Sequence, residues 1–345
     1  MGTTWQVKLV AACASFPALD GEVPAGSGPG AAIGAGVDAE IEAAVQSILD
    51  DIVDQMSTWE PDSDISRFNR APAGSRIVLP AAFARVLEHA LAVARDSEGA
   101  CDATVGAIVN AWGFGPGNAY RADRFEPPGE ARLAEARACS GWRRLRFDSA
   151  SRLAVQPGGL HLDFSAIAKG FAVDQIAAHL RMRGVGSYLV EVGGELRGAG
   201  VKPDGQPWWV ALEPPGAPDA VVQTVVALHD LAVATSGDYR RYFARDGARF
   251  CHAIDPRTGR PVPPRVASVT VLHAECMAAD ALSTALMVMG PEKGIPWAER
   301  RGLAALFRLR EPAHLQGIPA LAADGPRMTG GIIERMPRAF ESLLQ

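Results

Sequence analysis

Lysine is scarce in this sequence: it occurs only at Lys8, Lys169, Lys202 and Lys293, so nearly all of the 34 basic side chains are arginine. Set against 39 acidic residues they leave a net charge of −5, which provides no global basic field for nucleic acid. Cysteine is sparse too. Cys13, Cys101, Cys139, Cys251 and Cys276 are scattered, odd in number and without a C-x-x-C pair, which argues against a disulfide framework or a zinc site and leaves small buried thiols as the reading. No apolar run approaches the ~18 residues of a membrane span. No repeat of about 20–50 residues is present, which excludes solenoid and propeller arrays.

What is present is ordinary globular composition, 48% hydrophobic and 21% charged over 345 residues, enough for one large domain or two modest ones. At the start, Val10-Ala11-Ala12-Cys13 looks like a lipoprotein cleavage box, but Lys8 leaves fewer apolar residues before Cys13 than the ~7–15 of a signal core. Trp5, Val7 and Leu9 alternate with Gln6 and Lys8, so residues 3–13 are expected to form a strand and the chain as it stands to carry no signal peptide. The compartment stays open: cytoplasmic as the chain stands, periplasmic if a signal was removed. Residues 17–36 are rich in Gly, Pro and Ala and predict a flexible loop; Pro24 and Pro29 deny Gly26-Ser27-Gly28-Pro29-Gly30-Ala31 the context of a dinucleotide fingerprint.

Apolar spacing predicts helices over 37–56, 80–96, 102–111, 130–138, 167–183 and 275–289, the last ended by Gly290-Pro291. Strands are expected at 143–147, 153–156, 160–163, 188–192, 208–212, 221–228, 232–234, 266–272, 304–309 and 326–330, with Ser236-Gly237-Asp238 as a turn. Meanders mixed with long helices predict an α+β fold, one domain over 1–331 followed by a tail at 332–345.

Four segments carry chemistry. In Asp163-Phe164-Ser165-Ala166-Ile167-Ala168-Lys169-Gly170 a strand gives way to a helix, whose free first-turn N–H groups suit phosphate, with Lys169 adding charge. Asp163 as a simple helix cap and Lys169 as a solvated cation is the alternative. Asp280 and Thr284 share a face of an apolar helix, with Ser283 alongside, a hard-oxygen set suited to Mg²⁺. Alternatively Thr284 bonds back to the Asp280 carbonyl. His252 precedes the tight turn Asp255-Pro256-Arg257-Thr258-Gly259 and can be a general base or a structural hydrogen-bonder. Gly193-Gly194, after Tyr188–Val192, either admit a ligand to the backbone or simply make a hairpin turn.

Taken in order, these segments resemble the FAD:protein FMN transferase family, the ApbE-type flavin transferases. The matching pieces are Met1-Gly2-Thr3, Met56-Ser57-Thr58-Trp59 with Ser66-Arg67-Phe68-Asn69, and Val109-Asn110-Ala111-Trp112-Gly113-Phe114-Gly115. They continue through 163–171, 191–198, Thr235-Ser236-Gly237-Asp238-Tyr239, 252–259 and 279–284, over residues 1 to about 290. The resemblance implies a T-fold-like architecture of antiparallel sheets packed with helices. It also implies that Met1, Trp59, Trp112, Gly113, Phe114, Asp163, Lys169, Ile254 and the Gly193-Gly194 backbone contact FAD. The Ala166 carbonyl, Asp280, Ser283 and Thr284 would surround Mg²⁺, and His252 would activate an acceptor threonine. The implied reaction moves FMN from FAD onto that threonine and releases AMP; FAD hydrolysis to FMN and AMP, or flavin binding without catalysis, are its alternatives. Acceptors of such enzymes are subunits of membrane redox complexes and similar proteins. The family commonly carries a lipoprotein signal ahead of its Met-Gly-Thr segment, where this sequence begins, and its hairpin is shorter than the 17–36 stretch.

Overall fold

The computed structural model describes residues 4–10, 35–117, 119–122, 125–213, 224–310, 327–329 and 331–343. The helices are α1 (Ala35–Met56), α2 (Asp64–Arg70), α3 (Ala81–Asp96), α4 (Gly106–Ala111), α5 (Glu130–Ala138), α6 (Ala168–Met182), α7 (Cys276–Arg301) and α8 (Arg338–Glu341). The strands begin with β1 (Trp5–Val10), β2 (Arg76–Val78), β3 (Arg146–Asp148), β4 (Leu153–Val155), β5 (Ser187–Val192), β6 (Glu195–Ala199), β7 (Trp208–Ala211) and β8 (Val225–Leu228). They continue with β9 (Leu231–Gly237), β10 (Tyr242–Arg245), β11 (Ala248–Cys251), β12 (Ile254–Asp255), β13 (Arg260–Pro261), β14 (Val266–His273), β15 (Ala304–Arg310), β16 (Arg327–Thr329) and β17 (Ile332–Arg335).

Local chemistry explains the helix starts. The Ser63 hydroxyl accepts the Ser66 N–H at 3.2 Å and caps α2, and Pro80, which has no N–H to leave unpaired, precedes α3. Ile41, Val45, Leu49, Ile52 and Met56 form one buried stripe along α1.

Eight strands make one antiparallel sheet in the order β1-β5-β6-β9-β14-β15-β17-β16. Period-two burial sorts its faces. Tyr188, Val190 and Val192 of β5 join the core built from α1, α3 and α6, while Leu189 turns to the opposite side with Trp208, Leu228 and Phe340. The mid-sheet strand β14 is buried on both faces, with Ser268 and Thr270 enclosed among its apolar residues. The architecture is α+β, as the sequence predicts.

Several local expectations change. Residues 160–163 are not a strand. Only a bridge between Val105 and His161 forms there, and amide side chains replace the ladder. Buried Gln156 donates to the carbonyls of Phe68 and Leu160 and accepts the N–H groups of Gly158 and Leu160, and Asn69 pairs with both backbone groups of Leu162. Ser236 and Gly237 do not turn: they end β9, opposite Val269 and Ser268. The helix of Asp280 breaks at Gly290 (φ 70°, ψ 172°) as read, yet a further helical stretch follows within α7 to Arg301. Residues 332–343, read as part of a tail, hold the sheet strand β17 and α8, whose Phe340 is buried. The strand expected at 143–147 splits into a 3-10 turn, Trp142–Arg144, and β3. Met1, the Cys13 box and the loop expectation up to residue 34 lie outside the described residues, and Ala35 already begins α1.

Candidate active site

Two helix N-termini meet at Gly170. A Cβ there would lie 2.3 Å from the Cys276 carbonyl oxygen and 2.8 Å from the Met277 Cα, so this crossing of α6 and α7 requires glycine. The helices cap each other. The Gly170 N–H donates to Asp280 Oδ2 at 3.0 Å, while Asp174 of α6 accepts the N–H groups of Cys276 at 3.1 Å and Met277 at 2.9 Å. Asp174 is in turn ion-paired with Arg197 of β6. Two positive helix ends thus lie side by side. Because Asp280 takes the N–H that a longer α6 would give to Ala166, the Ala166 carbonyl receives no hydrogen bond from a described residue.

A cavity of about 570 Å³ opens over this clamp. Ala166, Lys169, Asp280 and Thr284 line it from the two helices, and Gly193, Gly194 and Glu195 from the β5–β6 turn. Gly193 and Gly194 have φ of 61° and 100°, which suits glycine. The Lys169 Nζ is 2.5 Å from Glu195 Oε1. Burial pushes the carboxyls of Asp280 and Glu195 up, and the lysine charge opposes both shifts. Desolvation pulls Lys169 down, but the charges of Glu195 and Asp280 outweigh it and leave the lysine raised. The lysine thus lies between two buried carboxyls, Glu195 also feels the charge of Arg240, and the second Glu195 oxygen has no hydrogen-bond partner among the described residues. A further cation beside Asp280 would ease the burial of its charge.

The donors fit a hard ion. Ala166, Asp280 and Thr284 all line the cavity, and the oxygens they carry are a carbonyl with no hydrogen bond from a described residue, a carboxylate and a hydroxyl. Among the described residues no group of three His, Cys, Asp or Glu side chains is placed to hold a metal. An ion here would complete its shell with water or substrate phosphate, as Mg²⁺ does. Ser236 Oγ lies 2.8 Å from Ser283 Oγ and 2.7 Å from Thr284 Oγ1, and Ser283 donates to the Asp280 carbonyl at 2.9 Å. The back-bond to Asp280 is thus made by Ser283 and not by Thr284.

His252 reaches the same cavity from the far end of the β10–β11 hairpin. Its Nδ1 is 3.2 Å from the Arg241 carbonyl, which can only accept, so Nδ1 carries the proton and Nε2 holds the lone pair. Burial pulls the imidazole down to about 4, with the Arg241 charge adding, so the ring is neutral near pH 7. Arg241 also donates to the Phe114 carbonyl at 2.7 Å and lies 5.9 Å over the ring of Trp59. Below His252, the carbonyl of Asp255 accepts the Gly259 N–H at 2.8 Å and closes the tight turn read from the sequence.

Of the residues expected at the site, Trp59, Phe114, Asp163, Ala166, Lys169, Gly193, Gly194, His252, Ile254, Asp280 and Thr284 share this one cavity. Trp112 and Gly113 do not line it. The Trp112 indole donates to the Gly259 carbonyl at 2.8 Å and stacks on Phe250, and the Gly113 backbone packs on Tyr120 and Phe125. Ser283 is fully buried behind Thr284. Met1 lies outside the described residues. Glu195, Ser236, Arg241 and Asp174 have no role in the sequence reading. Glu195 and Ser236 fall inside quoted segments, whereas nothing in sequence marks Asp174, a mid-helix acid whose partner is a hundred residues away.

Comparison with known proteins gives concordant matches. The ApbE family profile matches residues 1–307. A protein from Vibrio cholerae serotype O1 called FAD:protein FMN transferase is 43% identical over 254 residues, 74% of this chain and 75% of its own. Its namesake in Escherichia coli K12 is 36% identical over 259 residues, 74% and 73% of the two chains. Among solved structures, the apo form of Pseudomonas stutzeri flavinyl transferase ApbE superposes with a TM-score of 0.79 at 38% identity, covering 99% of this chain and 94% of that one. The flavin transferase ApbE from Vibrio cholerae gives 0.80 at 35% identity, covering 99% and 96%.

Proposed function

The chain belongs to the ApbE family, and on that premise we propose that it transfers the FMN half of FAD to a threonine hydroxyl of an acceptor protein and releases AMP. The observation that carries this reading is the single cavity in which the Asp280–Thr284 helix face, Lys169 and a neutral His252 from a separate turn all open onto one space. Phosphoryl transfer asks a protein mainly to position groups and to balance charge. Here the cavity takes FAD as substrate, with its diphosphate against the paired helix ends and Lys169, and Trp59 and Phe114 beside the rings. The acceptor hydroxyl approaches His252, whose unprotonated Nε2 removes the proton as the oxygen attacks the FMN phosphorus. The new O–P bond replaces the P–O–P bond, and AMP leaves with the electron pair. Asp280, Thr284 and the Ala166 carbonyl would hold Mg²⁺, which supplies charge neutralisation to the diphosphate when bound.

The test is incubation with FAD, Mg²⁺ and a threonine-bearing acceptor domain. The expected outcome is AMP in step with flavin bound covalently to the acceptor and lost on Thr→Val substitution there. AMP without labelled acceptor would make water the nucleophile and the protein an FAD hydrolase. Bound FAD with no AMP would make it a flavin-binding protein.

A further inference from the structure

We propose that Ser236 is a positioning residue for the divalent cation: it takes the Thr284 hydroxyl proton and so turns the Thr284 lone pairs toward the cavity. The inference rests on the magnesium reading above. One proton per hydroxyl fixes the direction of the whole network. Ser283 Oγ is 2.9 Å from the backbone carbonyl of Asp280, which can only accept, so Ser283 gives its proton there. Ser236 Oγ is 2.8 Å from Ser283 Oγ, and with the Ser283 proton already committed, Ser236 must be the donor. The 2.7 Å contact between Ser236 and Thr284 then has one proton left, that of Thr284. The hydrogen bonds run one way, from Thr284 to Ser236 to Ser283 to the Asp280 carbonyl.

The chain crosses from helix to sheet and back. Ser236 is held by β9, opposite Val269, while Ser283 and Thr284 ride on α7. Thr284 and Ser236 both line the cavity, whereas Ser283 is fully buried and spends both its donor and an acceptor site inside the network. Ser283 is therefore the anchor of the chain, and Thr284 is the hydroxyl whose oxygen is presented to a cation. A hydroxyl whose proton points into the cavity repels a cation; one whose proton is held behind it is a ligand. Without the Ser236 acceptor, the Thr284 proton is free to rotate into the cavity or back to the Asp280 carbonyl.

The test is Mn²⁺ titration, followed by the EPR signal of free ion, on the FAD-loaded protein without acceptor. Ser236→Ala is expected to weaken Mn²⁺ binding about tenfold, the usual scale for a residue that orients a metal ligand. FAD affinity measured without metal should fall far less than Mn²⁺ affinity does. Ser236→Thr, which keeps the hydroxyl, should restore Mn²⁺ binding. Thr284→Val should lose at least as much, and adding Ser236→Ala to it should lose nothing further, because Ser236 acts through Thr284. Should Ser236→Ala fail to fold, Ser236→Cys keeps the volume with a weak acceptor and carries the same comparison. Unchanged Mn²⁺ affinity in Ser236→Ala, or losses that add to those of Thr284→Val, would overturn the proposal. Asp280→Ala separates the two levels: if it retains Mn²⁺ binding the metal reading itself fails, and if it alone loses binding only the role of Ser236 fails.

Discussion

His252 gathers three properties that a base needs: a fixed tautomer, a neutral ring and a place on the cavity wall. His252→Ala is expected to slow transfer by about 10²–10⁴-fold while FAD affinity measured by flavin fluorescence holds. Loss of FAD binding instead would make His252 a ligand contact. The pH profile follows from the lowered pKa. The ring stays unprotonated as pH falls through 6.5 and becomes protonated only near about 4, so its acid limb in kcat/KM belongs near pH 4 and should vanish in the variant. The same shift favours protonation of the unfolded chain between those values, so it lowers stability as pH falls across that window. At this scale the sequence was informative about which residues matter and silent about their state. The spacing of Asp280 and Thr284 puts both on one helix face, but that Ser283 takes the back-bond, and that the Gly170 N–H meets Asp280, is not written in that spacing.

The pair α6 and α7 is the element on which the site depends. Gly170→Ala pushes a methyl into the α7 backbone, with no flexible side chain to yield, so the helices must separate and the reciprocal caps break. A loss of about 1–3 kcal/mol is expected, read as a lower Tm together with weaker metal-dependent FAD binding. A Tm equal to the wild type would mean that the crossing has slack. Elements whose apolar period and caps agree, such as α3 after Pro80, are legible from sequence because local and tertiary preferences coincide. Residues 160–163 differ from the strand their pattern predicts for a physical reason: Leu160 and Leu162 alternate inward as in a strand, but Gln156 and Asn69 supply the backbone partners. Ser236-Gly237 has turn chemistry and is overridden by pairing with β14.

Across the whole molecule, α6 and α7 are joined by protein groups, the Gly170 N–H on Asp280 and the Cys276 and Met277 N–H groups on Asp174. Chelation with EDTA is therefore expected to abolish turnover while leaving the Tm of the FAD-free protein unchanged. FAD and Mg²⁺ together should raise Tm, by about 2.7 kcal/mol of added stability at a hundredfold excess over Kd. A large Tm drop on chelation alone would show that the ion holds the helices together. The α+β class was legible because meanders and long helices alternate along the chain. The returning strand β17 was not, since its four half-buried residues carry little apolar signal until β15 stands beside them.

The mutual capping of α6 and α7 also bears on how the protein is made. During synthesis α6 leaves the ribosome about a hundred residues before α7 does, and until Cys276 and Met277 arrive, Asp174 has no helix end to cap and Gly170 no carboxylate to meet. A nascent chain halted before residue 276 has its glycine turn and its lysine but lacks the part of the pocket wall that Asp280 and Thr284 supply.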